Sequence, residues 1–268
     1  MIEHIRIDPG TKPKLAKRDG GDKLGLGGKE HALGLLAVSR QKLEKLQQRL
    51  YAEGKHSVLL VLQGLDASGK DGVIRTVFEG VNPQSCEVAS FKAPTSTELA
   101  HDYLWRVHPG VPAKGQISIF DRSHYEQVLV VRVMGLEPKS RWREHYDEIN
   151  AFERLLVDDG TTVLKFFLMI DRDEQRQRLQ ARIDDRRKRW KFRMGDLDTR
   201  KHWDDYIAAY EDALSKCSTE AAPWYVIPAN HKWFRNLAVA RIVAETLEEL
   251  RPRFPPPAET IPPDLKVE

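Results

Sequence analysis

Hydrophobic residues along this chain fall into short runs separated by amphipathic stretches. Val58–Leu62 and Val163–Ile170 are near-continuously apolar, the second broken only by Lys165. Runs of that length, bounded by glycine and polar residues, read as strands buried on both faces. Val88–Phe91, Gln116–Phe120 and Trp224–Ile227 are three further candidate strands. Between these runs the apolar positions recur at helical spacing. Leu33, Leu36, Ala37, Leu43, Leu46 and Leu50 mark a long amphipathic helix over Lys29–Ala52, which would pack on the sheet or on another subunit. Helices are also predicted over Lys70–Val81, Gln127–Val133, Trp142–Asp158 and Lys232–Leu250, with Gly160 stopping the third of these. Pro94–Glu98 reads as a helix start capped by Thr95 or Ser96. That helix would carry Leu99, Tyr103, Leu104 and Val107 and end before Pro109. Another helix begins near Asp173, and one spans Asp198–Leu214. Strands alternating with helices predict an α/β fold, a five-stranded parallel sheet flanked by helices.

The ends of the chain lack this period. Residues 1–28 are rich in Gly, Lys and Asp and are expected to form an arm partly extended over the domain. Lys12, Lys14, Lys17 and Arg18 within it would either touch an anionic ligand or be solvated. The domain proper is expected to span 29–250. Residues 251–268 contain six prolines and form no packed element of their own.

The first strand runs into Gly64-Leu65-Asp66-Ala67-Ser68-Gly69-Lys70, which spells G-x-x-x-x-G-K. That spacing is a phosphate-binding loop. Gly64 and Gly69 permit backbone conformations that a side chain opposes, and the freed amides form an anion nest. A helix starting near Lys70 adds the positive end of its dipole, and the Lys70 ammonium adds a point charge. The phosphate-binding set is therefore Gly64, Ala67, Ser68, Gly69, Lys70, Asp71 and Gly72. Asp71 stands where such loops usually carry a Ser or Thr that ligates magnesium, and a second carboxylate, Asp66, lies inside the loop. A carboxylate facing phosphate is repulsive unless a cation lies between them. Asp66 is thus expected to hold Mg²⁺ or a basic partner, with Asp71 as a possible helper. The alternative is an ordinary strand, turn and helix.

Asp121 and Arg122 follow the third strand. An acid at the carboxyl end of a buried strand is the expected second metal-binding element after a phosphate loop. Between Arg176 and Arg193 lie nine basic residues, Arg176, Arg178, Arg182, Arg186, Arg187, Lys188, Arg189, Lys191 and Arg193, against two acids, Asp184 and Asp185. Such a block repels itself unless an anion is present. Arg178 and Arg182 share a helix face. After the fourth strand, the block reads as a lid over about 176–200 that closes on phosphates. A solvated face or a nucleic-acid patch is the alternative.

Composition narrows the class only a little. Charged residues make up 31% and apolar ones 41%, with net charge +3 and pI near 8.7. That mild excess does not by itself indicate nucleic acid. Cys86 and Cys217 have no metal-type spacing, so a reduced, cytoplasmic protein is expected. No apolar run approaches the roughly 18 residues of a membrane span.

Several stretches together resemble the polyphosphate kinase 2 family. Gly64–Gly72 is similar to its loop, which also has an acid after the lysine. Phe120-Asp121-Arg122-Ser123-His124-Tyr125-Glu126 resembles its second motif. Trp190-Lys191-Phe192, Asp196 and Trp203-Asp204-Asp205-Tyr206 resemble its lid and the helix after it. Ala222–Ala229 resembles its last strand. Many members carry Asn at the position of Asp121. The likeness covers about residues 30–250.

The resemblance implies a thymidylate-kinase-like P-loop fold with a basic lid. It implies reversible, Mg²⁺-dependent phosphoryl transfer between inorganic polyphosphate and AMP, ADP or ATP, guanine nucleotides remaining open. Asp66 and Asp121 become the metal ligands, and Lys70, Arg122, Arg178 and Arg182 the catalytic cations. A homodimer or homotetramer is implied, with no nucleic-acid or membrane partner. Val128–Val133 resembles members accepting both AMP and ADP. Two other readings stand beside this one: an ATP-dependent nucleoside monophosphate kinase, and a non-catalytic P-loop binder of anions or nucleic acid.

Overall fold

The computed structural model describes residues 2–260 together with Leu265 and Val267. The remainder of the proline-rich tail, 261–264, 266 and 268, lies outside the described residues. In chain order the helices are α1 Ile2–Ile5, α2 Lys29–Glu53, α3 Lys70–Val77, α4 Ser96–Leu99, α5 Val130–Val133, α6 Lys139–Asp158, α7 Arg172–Asp184, α8 Met194–Lys201, α9 Trp203–Cys217 and α10 Lys232–Leu250. The strands are β1 Arg6–Ile7, β2 Ser57–Gln63, β3 Cys86–Ser90, β4 Ile117–Asp121, β5 Thr161–Met169 and β6 Trp224–Pro228.

Five strands are parallel, as expected, but the sheet has six, in the order β1-β6-β5-β2-β4-β3. The sixth is β1, antiparallel to β6, with Arg6 opposite Tyr225 and Ile7 opposite Trp224. A two-residue strand is too short to show a period in the sequence. Its anchors are apolar: Ile5 and Ile7 are buried. The pairing also covers an edge of β6 that would otherwise offer unpaired amides.

Two cores lie on opposite faces of the sheet. One packs Leu36, Leu43 and Leu50 of α2 and Val73 of α3 against most of α10. The other packs Trp142, Tyr146 and Ile149 of α6 with Tyr206, Tyr210 and Leu214 of α9. The long helix predicted over Lys29–Ala52 is thus used within the molecule, on α10 and the sheet.

Three helix predictions were too long. The helix predicted from Lys70 ends at Val77, not Val81, and Gly80 beyond it has φ +91°. The helix begun at Thr95, whose cap the structure bears out with a full capping box, stops at Leu99. There Asp102 accepts from the Leu104 and Trp105 amides, a local bond that competes with helix continuation. The Gln127–Val133 stretch is a 3₁₀ turn, His124–Gln127, followed by the single turn α5. The predicted Asp198–Leu214 helix is two, α8 and α9, divided at His202.

All five parallel strands point the same way. Residues 64–72, 121–126, 170–178 and 229–235 are therefore delivered to one edge of the sheet. Among the described residues no helix is long and apolar enough to cross a membrane.

Candidate active site

The loop after β2 turns on backbone that few side chains tolerate. Gly64 has φ +153° and Gly69 φ +104°, while Ala67 is held at φ +64°. A Cβ at Gly64 would sit 2.7 Å from Ser68 Oγ and 2.8 Å from the Leu168 carbonyl, so only glycine fits. Strain at Ala67 persists because the surroundings over-determine it. Gln175 of α7 donates to the Asp66 carbonyl at 3.0 Å. Arg178, also on α7, donates to the carbonyls of Ala67 (2.9 Å), Ser68 (3.0 Å), Ala229 (2.6 Å) and Asn230 (2.9 Å), and its Nε to Glu174. Lys70 Nζ donates to the Gly64 carbonyl at 2.9 Å, closing the loop on itself.

Opposite the loop stands the turn after β4. Leu62 pairs with Asp121 across the sheet, and the Arg122 amide donates to the Leu62 carbonyl. Arg122 itself has φ +64°, a left-handed conformation costly for a long side chain. Its guanidinium meets Asp66 Oδ1 at 3.1 Å, so Asp66 has the basic partner expected as one of its two roles. Gln63 donates to Ser123 Oγ, and Ser123 caps the following 3₁₀ turn. That turn brings in Glu126.

The electrostatics centre on two cations and three acids. Burial and the neighbouring Arg122 push the Lys70 ammonium down, while Asp121, Asp66 and Glu126 pull it the other way. Burial opposes the charge of Arg122, but Glu126, Asp66 and Asp121 together raise it above its ordinary value. Burial pushes the Glu126 carboxyl up, against Arg122 and Lys70. Asp121 Oδ1 is buried and has no hydrogen-bond partner among the described residues. A buried acceptor without a donor, in a site with one more acid than base, suits a cation. Among the described residues no three metal-ligating side chains converge. Mg²⁺ does not need that many, since it commonly takes one or two carboxylates and completes its shell with water and substrate phosphates.

The remaining predicted residues occupy several places. Gly72 lies in α3, with α10 behind it. Asp71 is exposed, and its partner is Lys191 of the basic 176–193 block at 3.0 Å, away from the other two acids. Arg182 reaches the Lys191 carbonyl and Asp196, both at 3.4 Å. Arg186, Arg187, Lys188, Arg189 and Arg193 are exposed around a 3₁₀ turn, Arg189–Lys191. Arg187 and Lys188 share Asp185.

A cavity of about 760 Å³ opens beside Arg122. Phe91, Arg106, Glu126, Val130, Leu136 and His145 are among its lining residues. Arg106 is set over the Phe91 ring, 5.4 Å from its centroid, and paired with Glu98 at 3.3 Å. At the far end His145 lies between Glu137 and Glu148, each 2.8 Å from one ring nitrogen. Sequence reasoning did not single out Glu126, Arg106 or Gln63 as functional. Glu126 does sit inside the quoted Phe120–Glu126 stretch, a signal that was available; Arg106 carries none.

Residues 29–255 match the family model described as polyphosphate kinase 2. The chain belongs to that family. It is 57% identical to the AMP/ADP-polyphosphate phosphotransferase of Meiothermus ruber, over 96% of both chains. It is 47% identical to the ADP-polyphosphate phosphotransferase of Rhodopseudomonas palustris, over 87% of this chain and 84% of that one. The crystal structure of a polyphosphate kinase 2 from Arthrobacter aurescens TC1 superimposes with a TM-score of 0.93 at 41% identity, covering 97% of this chain and 93% of that one.

Proposed function

We propose that this member of the polyphosphate kinase 2 family transfers phosphoryl groups between inorganic polyphosphate and AMP or ADP, reversibly and with Mg²⁺. The observation that carries the reading is the meeting of Lys70, Asp66, Asp121 and Arg122, of which Arg122 also lines a nucleotide-sized cavity. The Meiothermus relative, an AMP/ADP-polyphosphate phosphotransferase, supports both acceptors, and the Rhodopseudomonas relative, an ADP-polyphosphate phosphotransferase, supports ADP.

The loop amides and Lys70 hold the phosphate being transferred. The acceptor nucleotide lies in the 760 Å³ cavity, its phosphate toward Arg122. Asp66 and Asp121 would hold the Mg²⁺, which neutralises phosphate oxygens when bound. Phosphoryl transfer needs in-line placement and charge compensation rather than a covalent intermediate. Arg122 therefore serves the transition state by stabilising equatorial oxygens, leaving Asp66 as it does so. The exposed cations of 186–193 give the polyanion a track and close as a lid. Arg178 supports the loop from behind. ATP is the product from ADP, guanine nucleotides are alternative acceptors, and the chain assembles as a homodimer or homotetramer.

The test is nucleotide formation from polyphosphate and Mg²⁺, with AMP and ADP supplied separately and ATP-only controls. Product that disappears in Lys70→Ala is expected. Transfer from ATP to a nucleoside monophosphate, with none from polyphosphate, would make the chain an ATP-dependent nucleotide kinase instead.

A further inference from the structure

The phosphate loop rests on a cation that the reading above does not use. Arg235, in the first turn of α10, is only 2% exposed. Its Nη1 donates to the Ser68 carbonyl at 3.1 Å, and Nε and Nη2 donate to Asn236 Oδ1 at 3.1 and 2.9 Å. The guanidinium lies against Gly69 and Gly72: a Cβ at Gly72 would stand 2.7 Å from Nη2, and one at Gly69 would overlap Nη1 outright. Its side-chain partner, Asn236, is neutral, and the charge that bears on it is a second cation, Arg178. Burial and Arg178 push its pKa down to about 10. A buried charge without a counter-charge is unfavourable and needs a reason.

The geometry supplies one. The Ser68 carbonyl accepts from Arg178 Nη1 and Arg235 Nη1 together. In a trans peptide the C=O and the following N–H point in opposite directions. Two guanidinium groups drawing the Ser68 carbonyl backward therefore turn the Gly69 amide forward, into the loop. Arg178 has Glu174 as its counter-charge at 2.6 Å, whereas Arg235 has none among the described residues, so one positive charge behind the loop is left unbalanced. The nearby Lys232 at the start of α10 feels it too, its pKa lowered by burial and then by Arg178 and Arg235.

We propose that Arg235 is a positioning residue for phosphate binding: with Arg178 it clamps the Ser68 carbonyl so that the Gly69 amide faces the phosphate, and its unpaired charge is balanced by the bound polyanion. The inference rests on reading 64–72 as the phosphate site, and it concerns the phosphate chain rather than the nucleoside.

Tripolyphosphate binding to the full chain, measured by calorimetry with Mg²⁺ across a salt series, tests it. Steady-state constants for polyphosphate and for the acceptor, and unfolding midpoints, are taken alongside. Arg235→Met is expected to weaken tripolyphosphate about ten- to a hundredfold, the range implied by one hydrogen bond to a charged group. It also flattens the salt dependence and raises KM for polyphosphate, while the acceptor's KM is unchanged. Arg235→Lys keeps the charge without the fork and falls between. Gly72→Ala keeps the charge and displaces the guanidinium, so it weakens binding with the salt slope intact; it also serves if Arg235→Met does not fold. Lower unfolding midpoints with unchanged affinity, salt slope and KM in Arg235→Met and Gly72→Ala would make Arg235 a packing residue and overturn the proposal. Equal tripolyphosphate binding by the parent and Lys70→Ala would remove the phosphate site itself, a different failure.

Discussion

Glu126 is held where a carboxylate is least comfortable. Burial raises its pKa, and Arg122 and Lys70 only partly offset that. The folded state therefore keeps a proton at pH values where the unfolded chain has lost it. The stability that Glu126 contributes is present below the ordinary carboxylate range and is lost as pH rises through the raised pKa. Glu126→Gln is expected to remove that loss and to leave the protein at least as stable as the parent at neutral pH. Urea midpoints from acid to neutral pH measure this, and parallel curves for the two proteins would contradict it. Asp66 and Asp121 differ from Glu126 in kind: one is paired with Arg122, and the other has a buried oxygen with nothing to accept from.

At the scale of elements, α7 is the strut of the loop. Arg178 ties it to four backbone carbonyls from two segments, and Gln175 to a fifth. The resemblance to the family implies a catalytic arginine here, and the geometry commits that side chain to the loop. The two roles separate experimentally. As a strut, Arg178→Ala lowers stability by about 2–3 kcal/mol, the worth of hydrogen bonds to a charged donor, together with activity. As a transition-state cation alone, it would lower kcat on the order of 10³ with the unfolding midpoint unchanged. Thermal unfolding beside single-turnover rates distinguishes them, and the loss of both is expected. The basic segment around Lys191 attaches more lightly: Lys191–Asp71 is an exposed pair, of the kind worth about 1 kcal/mol or less.

Across the whole molecule the second motif is fixed by charge buried in the core. Lys165, in the middle of β5, donates to Glu153 of α6 at 2.5 Å, to Tyr125 Oη at 3.0 Å and to the Cys217 carbonyl at the end of α9. Burial pushes the Glu153 carboxyl up, but Lys165 and His124 outweigh it and hold the carboxyl below its ordinary value. One ion pair thus joins the sheet, two helices and the turn carrying Arg122. Removing one partner of such a pair strands the other. Lys165→Met is expected to cost about 3–5 kcal/mol in urea unfolding, and Lys165→Met combined with Glu153→Leu to recover most of it. A single variant as stable as the parent would mean that the pair does not hold the turn.

Strand and helix order, the loop glycines and Lys70, and the acid closing β4 were all legible in the sequence, because each depends on neighbours within one turn or one strand. The lysine inside β5 stood out as an exception to its run, and its partners did not. What tertiary structure decided lies between residues far apart in the chain. Asp71, next to Lys70 in the chain, faces solvent and Lys191, while Asp66 faces Arg122. Arg178, expected as a catalytic lid cation, donates to four carbonyls around the loop, a set of partners its sequence position does not reveal, and Arg235 carried no local signal at all. The sixth strand is two residues long and depends on β6 for its existence. Periodicity and spacing record which face of an element is buried; which charges meet there is set by how the sheet edge gathers four loops from distant parts of the chain.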